Sequence, residues 1–135
     1  MRELFFPYKR ARSDVFGEVS IPVAKIFLQD REEIGVDVIV DSGAVISIFP
    51  RSLCALLGLN FEEGRRAFVR TASGEEILIR VHIVKIRIGD FAFDARAAFS
   101  ENENIPYVLG RLDVLDKVEI RFERDGTRFL IQQSH

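Results

Sequence analysis

The chain has no tryptophan, one cysteine, one methionine and two histidines in 135 residues. A single cysteine, Cys54, excludes an internal disulfide, and that scarcity fits a reducing, cytoplasmic setting. His82 and His135 do not combine with Cys54 into any spacing that holds zinc, so neither a metal nor an organic cofactor is expected. No apolar stretch approaches the roughly 18 residues that a membrane helix needs. The opening Met1-Arg2-Glu3-Leu4-Phe5-Phe6-Pro7 carries an acid early and lacks the long apolar run of a secretory signal. Excess charge of one sign is missing too: 19 basic residues stand against 21 acidic ones, a formal net charge of −2. Such a balance gives no field to draw nucleic acid or a membrane surface, and the basic group Lys9-Arg10-Ala11-Arg12 reads as solvated. No glycine pattern resembles a phosphate-binding loop.

What remains is a globular balance, with 47 % apolar residues, enough to build one core in a chain of this length. Residues 1–18 show no clear periodicity and read as an irregular N-terminal arm; residues 19–135 read as one domain. Short apolar runs follow each other closely. Val19 to Leu28 reads as a strand disturbed by Pro22, then Val36 to Val40 and Val45 to Phe49 as two more. Arg51 to Leu57 reads as the one helix, opened by Pro50 and stopped at Gly58, with Leu53, Leu56 and Leu57 on a shared face. Ala67 to Thr71 and Ile77 to Ile88 flank a hairpin tip, Ala72-Ser73-Gly74-Glu75. In the second arm Ile77, Ile79, Val81 and Ile83 alternate with polar residues, which predicts that these four face the core and that His82 is exposed. Phe91 to Phe99, Tyr107 to Leu109 and a hairpin around Asp125-Gly126 complete the set, with a helical turn expected within Arg111 to Asp116. The fold class expected is mainly β, a closed barrel-like sheet with one short helix and a second helical turn.

The chemistry concentrates in Val38-Ile39-Val40-Asp41-Ser42-Gly43-Ala44. A carboxylate at the end of an apolar strand is costly unless donors satisfy it. Ser42 offers a hydroxyl, and Gly43 lets backbone N–H groups come close. Asp-Ser-Gly is also an ordinary turn, but turns usually sit among polar residues and this one sits between two apolar runs.

The segment resembles the active-site loop of retropepsin-like aspartic proteases, whose pattern is apolar-apolar-Asp-(Thr/Ser)-Gly-Ala. A second element of that family, two apolar residues followed by Gly-Arg, is matched by Val108-Leu109-Gly110-Arg111, with Gly110 69 residues after Asp41. The Ala72 to Glu75 hairpin lies between them, where the family has its flap. The resemblance covers roughly residues 19 to 131 and implies an acid protease half-domain. It implies a catalytic Asp41, with Ser42 bonding across a two-fold axis and Gly43 contacting substrate backbone. Ala44, Ala72, Ser73 and Gly74 would bind substrate, and Gly110 and Arg111 would support the loop and the dimer.

Aspartic proteolysis needs two carboxylates around one water, and this chain has one Asp-(Ser/Thr)-Gly. The expected active form is therefore a homodimer acting on an extended peptide. The alternative is a catalytically silent relative that keeps the fold as a dimerisation or peptide-binding module. The sequence departs from the retroviral pattern at Val45, where those members carry an acid that pairs with the Gly-Arg arginine. Arg111 thus needs another partner, and Asp113 and Asp116 are the candidates. Whether the chain ends build an inter-subunit sheet stays open at this stage.

Overall fold

A computed structural model describes residues 1–70 and 73–132. Twelve strands and one α-helix follow in order: β1 Arg2–Pro7, β2 Lys9–Ser13, β3 Gly17–Ile21, β4 Val23–Gln29, β5 Glu33–Val40, β6 Ser47–Pro50, α1 Arg51–Leu56, β7 Arg65–Arg70, β8 Glu76–Ile88, β9 Phe91–Ser100, β10 Val108–Leu109, β11 Glu119–Phe122 and β12 Gly126–Ile131. Short 3-10 turns cover Phe61–Glu63 and Leu115–Lys117, the second overlapping the expected helical turn only at Leu115 and Asp116.

The main sheet runs β4-β5-β10-β6-β9-β8-β7, and β4 also pairs with β8. That extra pairing closes six strands into a ring and leaves β7 outside it, bonded to β8. The closed, mainly β architecture expected from the sequence is thereby realised. Inside lie Ile26 and Leu28 of β4, Val36, Val38 and Val40 of β5, Ile86 and Ile88 of β8, Phe49, Phe99 and Leu109. Burying side chains of this size is worth roughly 1.5–3 kcal/mol each, the main force that closes the ring.

Helix α1 covers one mouth of the ring. Pro50 is its N-cap, and Gly58, at φ +82°, ends it. The Gly58 N–H donates to the Ala55 carbonyl and the Leu59 N–H to the Cys54 carbonyl, the paired closure that a left-handed glycine makes possible. The buried face is Leu53, Cys54 and Leu57; Leu56, expected to share it, is exposed.

The N-terminal residues differ from the irregular arm expected. β1 pairs antiparallel with β12 along its whole length, and β11 pairs with the other edge of β12. Leu4 and Phe6 pack on the core, and the Phe6 ring meets Phe129 edge-on at 5.4 Å. Local periodicity was weak because the partner that fixes this strand lies some 120 residues away. β2 and β3 form a separate two-stranded hairpin, and Pro22 divides β3 from β4 where one continuous strand was expected. Among the described residues no helix is long and apolar enough to cross a membrane.

Candidate active site

The site is built where β10 threads between two strands that are neighbours in sequence. β10 runs parallel to β5 and antiparallel to β6, so the loop joining β5 to β6, residues 41–46, must bridge over the end of β10. Four hydrogen bonds fix the crossing. The Asp41 N–H donates to the Leu109 carbonyl (3.0 Å), the Arg111 N–H to Ala44 (2.9 Å) and the Leu112 N–H to Val45 (2.8 Å). The Gly110 N–H donates to the buried Ser47 hydroxyl at 2.9 Å. Gly110 has no room for a side chain, since a Cβ there would lie 2.5 Å from the Ile46 carbonyl carbon. The glycine of the Gly-Arg pair is thus a consequence of backbone crossing backbone.

On this frame the Gly43 N–H donates to Asp41 Oδ1 at 2.9 Å, and the Ala44 N–H donates to the Asp41 carbonyl at 3.1 Å. The carboxylate is held by a backbone donor, as the sequence suggested. Asp41, Ser42 and Gly43 are all exposed in the single chain. Asp41 and Gly43, though not Ser42, line a cleft of about 560 Å³, together with Ala44, Val45, Ile46, Ile48, Val108 and, from β7, Phe68, Val69 and Arg70.

Of the residues named from the sequence, Asp41, Gly43 and Ala44 line the cleft together. Ala72 falls outside the described residues, and Ser73 and Gly74 sit at the hairpin turn without lining the cleft. The β7–β8 hairpin reaches the site through Phe68, Val69 and Arg70, which sequence reasoning did not single out. Arg111 finds Asp116, one of its two candidate partners, at 3.2 Å. Asp113 goes elsewhere, to Arg96, whose guanidinium and N–H together hold its carboxyl at about 2, below the usual range. Ser47 was also missed; its signal was a polar residue inside the apolar run Val45 to Phe49.

His82, expected to be exposed, is half-buried: its Nε2 lies 3.3 Å from the Phe61 carbonyl oxygen and 4.0 Å from Cys54 Sγ. Burial pushes the Cys54 thiol up, the behaviour of an inert core cysteine rather than a nucleophile. Among the described residues no group of three His, Cys, Asp or Glu is placed to hold a metal ion.

Residues 32–117, well over half of the chain, match the sequence model of the family described as gag-polyprotein putative aspartyl protease. The chain belongs to that family. The fold is similar to the crystal structure of a retropepsin-like aspartic protease from Rickettsia conorii, with a TM-score of 0.66 at 14 % identity over 95 % of this chain and 90 % of that one. It is also similar to EIAV protease complexed with the inhibitor HBY-793, with a TM-score of 0.56 at 17 % identity over 78 % of this chain and 92 % of that one. No curated protein matches in sequence. The architecture is that of a retropepsin-like half-domain.

Proposed function

We propose that the chain is an aspartic endopeptidase, active as a symmetric homodimer in which each subunit contributes Asp41. The observation that carries this reading is the placement of Asp41: a loop carboxylate, oriented by the Gly43 N–H, exposed in one chain and facing an apolar cleft roofed by β7. Two such carboxylates at a two-fold axis would share a proton, one acting as base on a water and the other as acid toward the leaving amine. Attack on the scissile carbonyl then gives a tetrahedral intermediate with no covalent enzyme adduct. Ser42 ties the two loops together, Gly43 and Ala44 take substrate backbone, and the β7–β8 hairpin closes on an extended peptide and excludes water. Gly110 and Arg111 support the loop from beneath. The reaction needs no cofactor, and a cytoplasmic setting suits the free, buried Cys54.

The test is a peptide-library digest with wild type and Asp41→Asn in parallel. The variant loses about a thousandfold in rate or more, while its stability stays within about 0.5 kcal/mol of wild type because the side chain is exposed. Cleavage that survives in the variant would sink the mechanism. Peptide binding without cleavage by either protein would mark the chain as a silent peptide-binding module.

A further inference from the structure

The β5–β6 loop is shaped by the segment beneath it, and that segment is itself tied down at one place outside the loop. Residues 109–112 supply all four of the cross-bonds to residues 41–47. The next residue, Asp113, has φ +63°, a left-handed conformation that non-glycine residues adopt at a cost. Its carboxylate explains the conformation. Asp113 Oδ2 accepts from Arg96 Nε at 2.7 Å and from the Arg96 N–H at 3.1 Å, and Oδ1 accepts from a terminal guanidinium nitrogen at 3.0 Å. β6 begins at Ser47, opposite Ala97 of β9, so Arg96 lies one residue past the end of that pairing. Asp113 stands in for a strand neighbour there, satisfying an N–H in the middle of β9 that β6 does not reach. A two-pronged Arg–carboxylate contact also fixes direction, which a single contact does not. The Arg111 side chain, by contrast, is bonded within its own turn, to Asp116.

We infer that the Arg96–Asp113 pair is the fastening that sets the height and angle of the catalytic loop, which makes Asp113 a positioning residue for Asp41. This rests on the protease reading above for its catalytic consequence, but not for its structural one. The order of force is Arg96 of the ring, Asp113, the Arg111 and Leu112 N–H groups, the Ala44 and Val45 carbonyls, then Asp41. The ring is held by its own continuous strand pairing and the loop by the four cross-bonds, so loosening Asp113 lets the loop drift without opening the core. Small displacements of a reacting group are costly to rate, and the loop supplies half of the cleft wall, Asp41, Gly43, Ala44, Val45 and Ile46, so a drift moves binding contacts as well as Asp41.

The test uses Asp113→Gly, Asp113→Asn and Arg96→Lys. Glycine tolerates φ +63° and removes the carboxylate alone; lysine keeps the charge of Arg96 and loses the fork. Two readouts are taken: kcat and KM on a peptide that wild type cleaves, and hydrogen exchange at the Arg111 and Leu112 amides. The expected result for Asp113→Gly is a fall of about tenfold or more in kcat, larger than any accompanying rise in KM, and exchange at both amides faster by at least about tenfold. Arg96→Lys falls between. Wild-type kcat and wild-type protection at both amides in Asp113→Gly would overturn the inference, as would a loss of thermal stability with kcat per folded molecule unchanged. If Asp113→Gly does not fold, Asp113→Asn, whose side chain also suits the left-handed region, carries the same readouts. Should wild type itself prove inactive, the failure belongs to the protease reading, and amide exchange alone decides the fastening.

Discussion

Ser47 and Gly110 show how much of the site rests on groups that never touch substrate. Ser47 is fully buried and its hydroxyl takes the Gly110 N–H. Ser47→Ala leaves that donor without a partner, and a loss of about 1–3 kcal/mol is expected in urea unfolding. Gly110→Ala forces a methyl group against the Ile46 backbone, and a loss of about 1–3 kcal/mol or more is expected together with reduced cleavage, since the strain falls on the β5–β6 loop itself. Three carboxylates give the pH dependence its sign. Asp113 is lowered to about 2 chiefly by its bonds from Arg96; Glu103 is lowered by Ser52 and Glu123 by Arg128. Each binds a proton less readily in the folded chain than in the unfolded one. Their contribution is complete above the unfolded carboxylate range, about pH 4–5, and is lost as pH falls toward 2. Calorimetry across that window is expected to show a falling Tm, with a shallower fall in Asp113→Asn. The fastening therefore stays ionised through the mildly acidic range.

Strand β8 is the element in which local pattern and tertiary setting part. The alternation named Ile77, Ile79, Val81 and Ile83 as the core face, yet of these only Ile79 is buried below a tenth exposed, and Ile83 is 68 % exposed. From Val84 onward the core face is Val84, Ile86 and Ile88. The pairing with β9 runs without a bulge from Ile79 to Ile88, so the pleat is intact. The change comes from what lies on each side: β8 pairs with β7 in its first half and closes the ring against β4 in its second. The alternation itself changes phase at Ile83-Val84: Ile77, Ile79, Val81 and Ile83 lie on one face, which continues as Lys85 and Arg87, while Val84, Ile86 and Ile88 lie on the other. Ile86→Ala is expected to cost about 2–5 kcal/mol, as for other cavities in a packed core. Ile83→Ser is expected to stay within about 0.5 kcal/mol, as a surface change should. Equal losses in thermal unfolding would contradict this assignment of faces. In helix α1 the same kind of choice, between Leu56 and Cys54, was settled by the approach of the ring.

For the molecule as a whole, the half-site is the main consequence. Within one chain β1 pairs along β12, in a three-stranded sheet whose edges are β1 and β11. The homodimer proposed above has one site, shared by two Asp41 loops. That arrangement predicts subunit mixing. If equal amounts of wild type and Asp41→Asn exchange freely, only about a quarter of the dimers carry two intact carboxylates, and activity is expected to fall to about that fraction. Half the activity would mean that each subunit works alone, and would remove the shared site.

The sequence alone determined the mainly β class, helix α1 with its Gly58 stop, and the two segments, Asp41-Ser42-Gly43 and Gly110-Arg111, that the structure then brought together. These are legible because they depend on local rules: a break after an apolar run, a glycine where the chain turns back, one acid where two are needed. The tertiary structure decided the rest. It made β1 a strand, brought Phe68, Val69 and Arg70 over the cleft, gave Ser47 its buried bond and sent Asp113 to Arg96 instead of Arg111. Each of those depends on a partner 17 to more than 100 residues away, and side-chain periodicity carries no record of such distances.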